Sequence, residues 1–417
     1  MSGNVVIVGG GVIGLSTAFY CLLAGRKVTV LERLPAQRDG CSFGNAGMIV
    51  PSHFVPLAAP GMVALGLKWM WNSESPFYVK PRLDTDLLYW AWQFWRASTA
   101  ARVRQAAPVL RDLSLASRAL FEELATKHDL EFGLEKRGLL MLCRTEHALA
   151  EEARMAARAN ELGLPAEVLD ARQAAEREPG ARLDVAGAVY FPRDCHLTPE
   201  RFVHALQRRL VEMGGEFLAN TEVTGWRRSG AQLIAVETSA GAIEADGFVL
   251  SGGSWSPGIA RGLGLNLPLQ AGKGYSVTLP SPRRLPSICS ILTEARVAVT
   301  PMGAALRVGG TMEISGLNEE INPARVRGLV RALQQYYPDF RFEDFDGLPA
   351  WRGLRPVSPD GLPYLGRTRS VANLVIATGH AMMGLSLAPV TGKIVADVLD
   401  GRPVPYGPNL LDPDRYG

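Results

Sequence analysis

The 417-residue sequence has few cysteines, no excess of charge of either sign and no low-complexity stretch. Its five cysteines are scattered, and no two of them form a CxxC pair, so it offers neither a disulfide framework nor a structural zinc site. Lys and Arg number 44 against 41 Asp and Glu, and this balance excludes a basic surface for nucleic acid. With 47% hydrophobic and 20% charged residues, the chain is expected to be a globular cytoplasmic protein of two or three domains.

One uncharged, mostly apolar stretch, residues 5–25, is long enough to cross a bilayer. However, no basic segment precedes it, and a cluster of glycines interrupts it at residues 9–14. This pattern favours a buried strand, a tight turn and a buried helix over a membrane span or a signal peptide. Residues 27–32 predict a second buried strand, which makes the amino-terminal region a βαβ unit.

The rest of the chain predicts helices and strands that alternate without any internal repeat. Helices are predicted at residues 108–126, 146–162, 171–178, 199–213, 323–337 and 385–399. A hairpin is predicted over residues 131–143, and strands near residues 216–226, 232–238, 243–251, 273–313 and 373–378. The predicted fold class is α/β, a Rossmann-like nucleotide-binding domain interleaved with a more antiparallel α+β domain.

The glycine turn carries the clearest chemical motif. Residues 9–14, Gly-Gly-Gly-Val-Ile-Gly, match GxGxxG between a strand and a helix, and Glu32 ends the following strand. The glycines permit close approach of a pyrophosphate to a helix amino terminus, and the carboxylate suits the ribose hydroxyls. The fingerprint fits both NAD and FAD. No second GxGxxG provides a nicotinamide site, so if the cofactor is FAD, the organic substrate itself must donate the electrons.

Four segments, together with this motif, resemble the FAD-dependent amine oxidoreductases of the D-amino-acid oxidase/glycine oxidase superfamily. They are CSFGNAG at residues 41–47, VLSGGSWS at 249–256, WRGLRP at 351–356 continuing to residue 366, and GHAMMGL at 379–385. Residues 45–61 and GKGYS at 272–276 are similar to bacterial D-amino-acid dehydrogenases. HFVPL at residues 53–57 is similar to the D-hydroxyproline dehydrogenase branch.

The resemblance implies a division of the chain between two domains. An FAD-binding domain is expected from residues 1–60, 150–258 and 347–417. An antiparallel-sheet substrate domain is expected from residues 61–149 and 259–346.

The resemblance also implies noncovalent FAD, because no cysteine lies in a motif that matches the family's covalent attachment sites. No metal is expected. The residues expected to bind FAD are Gly9, Gly11, Val12, Ile13, Gly14, Glu32, Arg33, Ser42, Asn45, Ala46, Gly47, Met48, Val223, Gly252, Gly253, Trp255, Arg352, Gly379, His380, Met382, Met383, Gly384, Leu385 and Ser386.

The implied reaction places a cation at the centre of the substrate site. An amino acid with a deprotonated amine passes hydride from Cα to the flavin, a step that depends mainly on orientation. The resemblance assigns Arg355, in the LRP-type motif, to the substrate carboxylate, which a guanidinium binds through two parallel hydrogen bonds. The alternative is an ion pair of Arg355 with Asp360 that organises the loop. Arg352 is the nearest competitor for the carboxylate.

Several other side chains are candidate site residues, and each also has a purely structural interpretation. Tyr275 is a candidate donor to the carboxylate or a packed strand tyrosine. His53 is a candidate partner of a ring hydroxyl or a loop histidine. Met382 and Met383 replace the family's second arginine, and they either shape an apolar pocket or fill the core. His380 is expected to anchor backbone, and His196 to take part in a turn rather than bind a metal.

The expected reaction is oxidative deamination of a D-amino acid, with a D-proline derivative such as cis-4-hydroxy-D-proline as the specific substrate. The alternatives are an oxygen-using glycine/sarcosine-type oxidase, an NAD-dependent dehydrogenase, and a flavin subunit that needs partner proteins. The expected electron acceptor is a quinone or another carrier, and the oligomeric state stays open. Five tryptophans at residues 69–95 either pack in the core or, with Lys68, Trp69, Met70 and Trp71, form a peripheral contact to the inner membrane.

Overall fold

The computed structural model describes residues 3–69 and 75–417, without the side chains of residues 67–69. The strands are β1 (Asn4–Val8), β2 (Lys27–Leu31), β3 (Met48–Ile49), β4 (Phe77–Val79), β5 (Leu139–Cys143), β6 (Glu167–Asp170), β7 (Gly187–Phe191), β8 (Cys195–His196), β9 (Glu216–Leu218), β10 (Val223–Ser229), β11 (Gln232–Thr238), β12 (Gly241–Glu244), β13 (Gly247–Leu250), β14 (Gln270–Leu279), β15 (Cys289–Leu292), β16 (Val297–Met302), β17 (Ala305–Ile314), β18 (Ala350–Val357), β19 (Tyr364–Arg367) and β20 (Leu374–Thr378).

The α-helices are α1 (Val12–Leu23), α2 (Met62–Trp69), α3 (Thr85–Ala97), α4 (Ala100–Thr126), α5 (Glu146–Glu161), α6 (Ala171–Arg177), α7 (Pro199–Glu212), α8 (Ser256–Arg261), α9 (Pro323–Tyr336), α10 (Ala388–Leu399) and α11 (Pro408–Leu411). Short 3₁₀ turns lie at Gly253–Trp255, Phe342–Phe345 and Ala381–Met383.

The first sheet has the order β19-β20-β13-β1-β2-β9 and is parallel except at β19. Strand β1 lies near its centre because its Val and Ile side chains are buried on both faces. Helices α1, α4, α7 and α10 pack on one face in a shared apolar core. The small sheet β10-β11-β12 packs on the other face. The carboxyl ends of β1 and β2 therefore meet at one edge, where the glycine turn begins.

The second sheet has the order β18-β14-β17-β16-β15-β5-β7-β6, with β4 paired to β17. It is mostly antiparallel, and helix α9 covers one face of its centre with an apolar core. The opposite face lies toward the loop of residues 41–48, since Ser276 Oγ donates to Gly44 O at 2.7 Å and Thr300 Oγ1 donates to Ala46 O at 2.8 Å. These two hydrogen bonds join the loop of residues 41–48 directly to the second sheet.

A bulge interrupts the pairing of β14 and β17. The register passes from Lys273↔Glu313 to Tyr275↔Gly310, so β17 carries one residue more than its partner. Thr311 lies in this bulge with φ of +69°, which is strained for a β-branched residue. The bulge turns the carbonyl of Thr311 toward the neighbouring strands.

Three sequence predictions differ from the structure. Residues 131–143 do not form a hairpin, because β5 pairs with β15 in parallel and with β7, which is distant in sequence. Strands β6 and β7 pair within the second sheet although residues 150–258 were assigned to the FAD-binding domain. Strand β18 also pairs there, with β14, although it lies in the range 347–417. Sheet membership thus depends on non-local pairing, which strand patterns do not reveal.

The glycine-rich stretch at residues 5–25 forms β1, the turn and α1, as predicted. Across residues 3–69 and 75–417, we find no helix that combines the length and the apolar character needed to cross a membrane.

Candidate active site

The turn between β1 and α1 is closely packed on one side and open on the other. Gly9 has φ of +111°, and a Cβ there would lie 2.5 Å from Ser251 O. A Cβ on Gly14 would overlap the carbonyl oxygen of Gly9. By contrast, within the part of the chain that the structure describes, a Cβ on Gly11 would meet the hydroxyl of Ser42 alone, at 3.3 Å. The space beside Gly11 is therefore where a ligand can approach the backbone.

The first turn of α1 supplies hydrogen-bond donors to that space. Val12 N donates to Ser42 Oγ at 2.9 Å. The amides of Ile13 and Gly14 also lie in the first turn, where a helix has no acceptor for them, and Gly11 has no side chain to cap them. Unpaired amides, the positive end of the helix dipole and an open approach fit a dinucleotide pyrophosphate.

Glu32 lies at the end of β2 and organises the turn. Its carboxylate accepts from Gly10 N at 3.0 Å and from Leu34 N at 2.9 Å. The oxygens still have lone pairs for ribose hydroxyls, since a carboxylate accepts about four hydrogen bonds. The arrangement fits the expected ribose contact.

Arg38 is a site residue that the sequence analysis missed. Its side chain is buried, its guanidinium donates to Gly10 O at 2.6 Å, and it lies 3.9 Å from the carboxylate of Glu32. The guanidinium also faces the rings of Phe43 and Phe217. Only the fold brings these groups together, so no local motif indicates the residue.

Two of the residues expected to bind FAD, Arg33 and Trp255, lie against each other. Arg33 stacks over the ring of Trp255, with 3.9 Å from its Cζ to the ring centroid. Trp255 follows the turn of Gly252 and Gly253 at the end of β13. Val223 begins β10 close by, in the apolar core that covers this face of the first sheet.

The loop of residues 41–48 is braced by its own side chains and by the second sheet. The Asn45 amide donates to Ser42 O at 3.0 Å and accepts from Gly47 N at 2.9 Å. The buried Arg307 donates to the carbonyls of Phe43 and Asn45, both at 3.2 Å. Met48, at the end of the loop, pairs with β8. The loop thus presents Ser42 to α1 with little freedom.

The turn before α10 closes the site from the carboxyl-terminal side. Ser386 Oγ accepts from Val50 N at 3.1 Å, which ties this turn to the loop after β3. His380 is buried, its Nε2 lies 3.0 Å from Thr391 Oγ1, and burial lowers its pKa to about 3. His380 is therefore neutral near pH 7, and its ring contacts the side-chain hydroxyl of Thr391 on α10. Met382 is 53% exposed, whereas Met383 packs against two apolar cores.

The helix that follows begins later than the sequence suggests. It starts at Ala388, and Gly384, Leu385 and Ser386 belong to the turn that leads into it. Leu385 is buried in the core of the first sheet. Pro389 occupies the first turn of the helix, where proline is favoured, and this proline was the available signal for the start.

Arg355 lies on β18 and crosses the neighbouring strand. Its Nη1 donates to Thr311 O, in the β17 bulge, at 2.5 Å. A Cβ on Gly274 of β14 would overlap the guanidinium, so the glycine provides the space for this crossing. Among the described residues, no carboxylate lies at ion-pairing distance from Arg355. Burial lowers its pKa from the ordinary value, as expected for a cation without a counter-ion.

The sequence analysis offered two alternatives to carboxylate binding by Arg355: an ion pair of Arg355 with Asp360, and Arg352 as the carboxylate ligand. In the structure, both Asp360 and Arg352 have other partners. Asp360 is buried against Arg415, which donates to both of its oxygens at 3.0 Å, and Arg102 also contacts it at 3.0 Å. Arg352 pairs with Asp39 at 2.7 Å and with Glu319 at 3.3 Å near the surface. Arg355 is thus the half-buried guanidinium that remains for an anionic ligand.

Tyr275 does not take the expected place. It is 1% exposed on the α9 side of β14, and its hydroxyl donates to Glu313 Oε2 at 2.8 Å. Alternate residues of a strand face opposite sides, so Gly274 faces Arg355 and Tyr275 points away from it. The predicted bond from Tyr275 to a substrate carboxylate is therefore wrong. Lys273 and Arg325 complete a buried charged cluster with Glu313.

His53 lies on the loop after β3 and is half-buried. Its Nδ1 is 3.0 Å from Ser52 Oγ, and Ser52 Oγ donates to Asp194 Oδ2 at 2.5 Å. Burial lowers the pKa of His53 to about 4, and the charge of Arg296 acts in the same direction. His53 is therefore neutral near pH 7. His196, on β8, is 2% exposed, and burial lowers its pKa to about 4.

Comparisons with known proteins agree with this arrangement. A family model described as FAD dependent oxidoreductase matches residues 4–398. D-amino acid dehydrogenase of Bradyrhizobium diazoefficiens is 33% identical over 422 residues, covering 99% of each chain. D-amino acid dehydrogenase of Methylobacterium radiotolerans is 33% identical over 419 residues, again covering 99% of each. The crystal structure of glycine oxidase from Geobacillus kaustophilus matches with a TM-score of 0.80 and 25% identity, covering 100% of this chain and 99% of that one.

The first-turn amides of α1, the open space beside Gly11 and the carboxylate of Glu32 are what a flavin dinucleotide requires. The family match spans nearly the whole chain and both sheets that build the site. The chain belongs to the FAD-dependent oxidoreductase family, and FAD is its cofactor.

Proposed function

We propose that this protein oxidises a D-amino acid at the Cα–N bond. The relatives over 99% of the chain are D-amino acid dehydrogenases, which supports this reaction class. The observation that carries the proposal is Arg355, a half-buried guanidinium with no carboxylate partner among the described residues. An unpaired buried cation is costly unless a ligand completes it, and an α-carboxylate matches its two-pronged geometry.

The chain's own residues orient the substrate. Arg355 binds the α-carboxylate, and the bond from its Nη1 to Thr311 O holds the guanidinium plane in place. When bound, FAD supplies the acceptor for the hydride from Cα. The turn of residues 379–386 and the loop after β3, joined through Ser386 and Val50, enclose the site. Fixed orientation contributes most to such a step, because no difficult bond has to be activated by a side chain.

We propose a D-proline derivative, such as cis-4-hydroxy-D-proline, as the specific substrate. Met382 and Met383 occupy the turn where the glycine oxidases carry an arginine, and they make it more apolar. This change favours a ring-shaped side chain over glycine.

Anaerobic reduction of the bound flavin by D- and L-amino acids tests this proposal. We expect bleaching by D-amino acids, fastest with D-proline derivatives, and none by the L-enantiomers. Reduction by glycine or sarcosine alone, with rapid reoxidation by oxygen, would favour an oxidase instead. A purified protein without flavin absorbance that reduces NAD would contradict the cofactor as well.

Replacing Arg355 with Ala tests the carboxylate contact. Loss of a desolvated charge pair costs about 2–5 kcal/mol, which lowers kcat/KM by about 30- to 5,000-fold while FAD stays bound. An unchanged kcat/KM would contradict the assignment. Arg352→Ala is the matched control, since Arg352 already pairs with Asp39 and Glu319, and we expect at most a few-fold loss.

We also propose a membrane quinone as the electron acceptor. Lys68 to Trp71 have side chains outside the described residues, and Trp90 is buried with its Nε1 donating to Val357 O at 2.8 Å. On helix α3, however, Leu88, Trp92 and Trp95 are 62%, 47% and 63% exposed, and Arg96 lies over Trp92. Exposed tryptophans beside a cation are typical of contacts with anionic lipid headgroups.

Sedimentation with phosphatidylglycerol-containing vesicles tests this contact. The double change Trp92→Ser and Trp95→Ser is expected to abolish binding without loss of FAD. Ile234→Ser removes an equally exposed apolar side chain from β11 and serves as the control. Equal binding of all three proteins would contradict the proposal.

A further inference from the structure

Three polar side chains form a continuous line from the interior to the loop after β3. The carboxylate of Asp194 is buried, with 1% of the residue exposed, between β7 and β8. It accepts from Ser52 N at 3.1 Å and from Ser52 Oγ at 2.5 Å. Ser52 Oγ in turn lies 3.0 Å from His53 Nδ1. The line ends at the imidazole.

The hydrogen bonds of Ser52 determine which ring nitrogen of His53 carries a hydrogen. A hydroxyl has one hydrogen, and while Asp194 is ionised, Ser52 donates that hydrogen to the carboxylate. Nδ1 of His53 must then carry a hydrogen and donate it to Ser52 Oγ. Since His53 is neutral near pH 7, its Nε2 carries a free lone pair. Nε2 makes no hydrogen bond to any described residue.

The loop that carries His53 is fastened to the active-site turn. Val50 N donates to Ser386 Oγ. Val50 and Phe54, on either side of His53, pack in one apolar cluster with Met383. The loop that carries the imidazole is therefore joined directly to the turn of residues 379–386.

The charged and titratable groups around the line come from several elements. Asp194 faces Arg118 of α4, and it also influences the thiols of Cys195 on β8 and Cys289 on β15. His53 faces Arg296, in the turn before β16. Glu152 of α5 also faces Arg296. After burial, the charge of Arg296 further lowers the pKa of His53 and so disfavours a permanent positive charge there.

We propose that His53, Ser52 and Asp194 form a proton relay that deprotonates the substrate amine before oxidation. The proposal rests on the amine oxidation proposed above, because an ammonium cannot release hydride from Cα while it keeps all its N–H bonds. Nε2 accepts the ammonium proton, Nδ1 passes its proton to Ser52 Oγ, and Ser52 passes its own proton to Asp194 Oδ2. One N–H bond of the substrate breaks and one O–H bond forms on Asp194, with no change in oxidation state.

The relay has a definite pH range. Burial raises the pKa of Asp194 to about 7, although the hydrogen bonds from Ser52 and the charge of Arg118 lower it. Above that pKa the carboxylate is charged and His53 presents an acceptor. Below it the carboxyl is protonated, Ser52 donates to Nδ1 instead, and the Nε2–H of His53 can no longer accept a proton.

Stopped-flow reduction of the bound FAD by a D-amino acid, measured against pH in the holoenzyme, tests the relay. In the wild type, we expect the limiting rate to rise with an inflection near the Asp194 pKa of about 7. In Asp194→Asn, the inflection should move to the ammonium's own higher pKa, with a rate about 100-fold lower at neutral pH. An unchanged profile in Asp194→Asn would overturn the relay.

Ser52 offers a matched pair of variants that leave the buried carboxylate in place. Ser52→Ala breaks the line and should reproduce the Asp194→Asn profile, whereas Ser52→Thr keeps the hydroxyl and should restore the wild-type inflection. This pair decides the question even if Asp194→Asn fails to fold. A merely structural role would lower the rate in both without moving the inflection, and that result would overturn the relay.

The tautomer of His53 is a readout independent of turnover. In holoenzyme with ¹⁵N-labelled histidine, assigned through a His53→Gln variant, we expect protonated Nδ1 and unprotonated Nε2 above the Asp194 pKa. In Ser52→Ala, this preference should be lost. Protonated Nε2 in the wild type at high pH would overturn the relay. Correct tautomers in a protein whose flavin no amine reduces would instead overturn the proposed function.

Discussion

The position of the Arg355 side chain depends on a glycine, Gly274, on the neighbouring strand. Its guanidinium extends across β14 to the carbonyl of Thr311, and it lies where a side chain of Gly274 would otherwise be. The glycine thus determines where the cation points. The LRP-type motif identifies the arginine, but its partner across the sheet is visible only through the pairing Gly274↔Gly353 of β14 and β18.

Gly274→Ala should displace Arg355 without removing it. The new Cβ overlaps the guanidinium, and such overpacking costs about 1–3 kcal/mol. We expect KM for the D-amino acid to rise by about 5- to 150-fold, with FAD retained. Steady-state kinetics and flavin absorbance measure both quantities.

Gly258→Ala is the control for this substitution. Gly258 lies in α8, and an added Cβ there would have no neighbour within 4 Å in residues 3–69 and 75–417. We expect unchanged kinetics and slightly higher stability, since Ala favours a helix over Gly. If KM were equally unchanged in Gly274→Ala, the crossing of β14 by Arg355 would not position the substrate.

At the scale of the element, Gly11 and Gly14 at the start of α1 are glycines for different reasons. Gly14 is required by the protein itself, because a side chain there overlaps Gly9 O. Gly11 has φ of −74° and ψ of −179°, a conformation open to any residue, and among the described residues Ser42 Oγ alone lies near the position of an added Cβ. The described residues therefore leave room for a side chain at Gly11, and we attribute the glycine there to the bound dinucleotide.

This difference predicts opposite behaviour for two alanine variants. Gly11→Ala should fold normally as apoprotein but bind FAD more weakly by about 1–3 kcal/mol, because its methyl group meets the pyrophosphate. Gly14→Ala should lower the unfolding temperature of the apoprotein itself. Thermal unfolding of deflavinated protein, with FAD titration by fluorescence, distinguishes the two. Equal FAD affinity in Gly11→Ala and wild type would show that the pyrophosphate lies elsewhere.

At the scale of the whole molecule, distant parts of the chain meet at Asp360. Arg102 of α4 and Arg415, near the carboxyl terminus, both contact its buried carboxylate. Burial alone would raise the pKa of Asp360, but Arg415 and the hydrogen bonds lower it overall. The loop after β18, and with it the end of the Arg355 strand, is thereby fastened to two other regions.

Arg415→Ala should destabilise the protein by about 3–5 kcal/mol at neutral pH, because it leaves a buried carboxylate short of a partner. The folded-state pKa of Asp360 lies below the unfolded value, so its contribution is present above that value and is lost as pH falls through the lowered pKa. The difference between variant and wild type should therefore shrink in acid.

Denaturant unfolding at neutral and acidic pH measures this effect. Arg402→Ala, which removes exposed ion pairs to Asp397 and Asp400, should cost at most about 1 kcal/mol. A loss in Arg415→Ala no larger than in this control would mean that the carboxyl-terminal segment does not stabilise the loop.

Short sequence motifs predict some of the candidate site residues but not others. Gly9 to Gly14, Glu32 and the segment 41–47 carry their signal in a few consecutive positions, since a strand, a turn and a helix amino terminus are local structures. Arg38, the bulge at Thr311 and the line from Asp194 to His53 have no such signal. Each depends on contacts between residues far apart in the chain.

By itself, the amino-acid sequence determined the dinucleotide turn and the presence of two interleaved layers, because hydrophobic period and turn chemistry act over short distances. Tertiary structure alone decided that Tyr275 turns away from the site, that Arg355 has no carboxylate partner within residues 3–69 and 75–417, and that a buried carboxylate lies behind His53. Which face of a strand is occupied, and which charges share a buried space, follow from the register of long-range pairs, and no local pattern encodes that register.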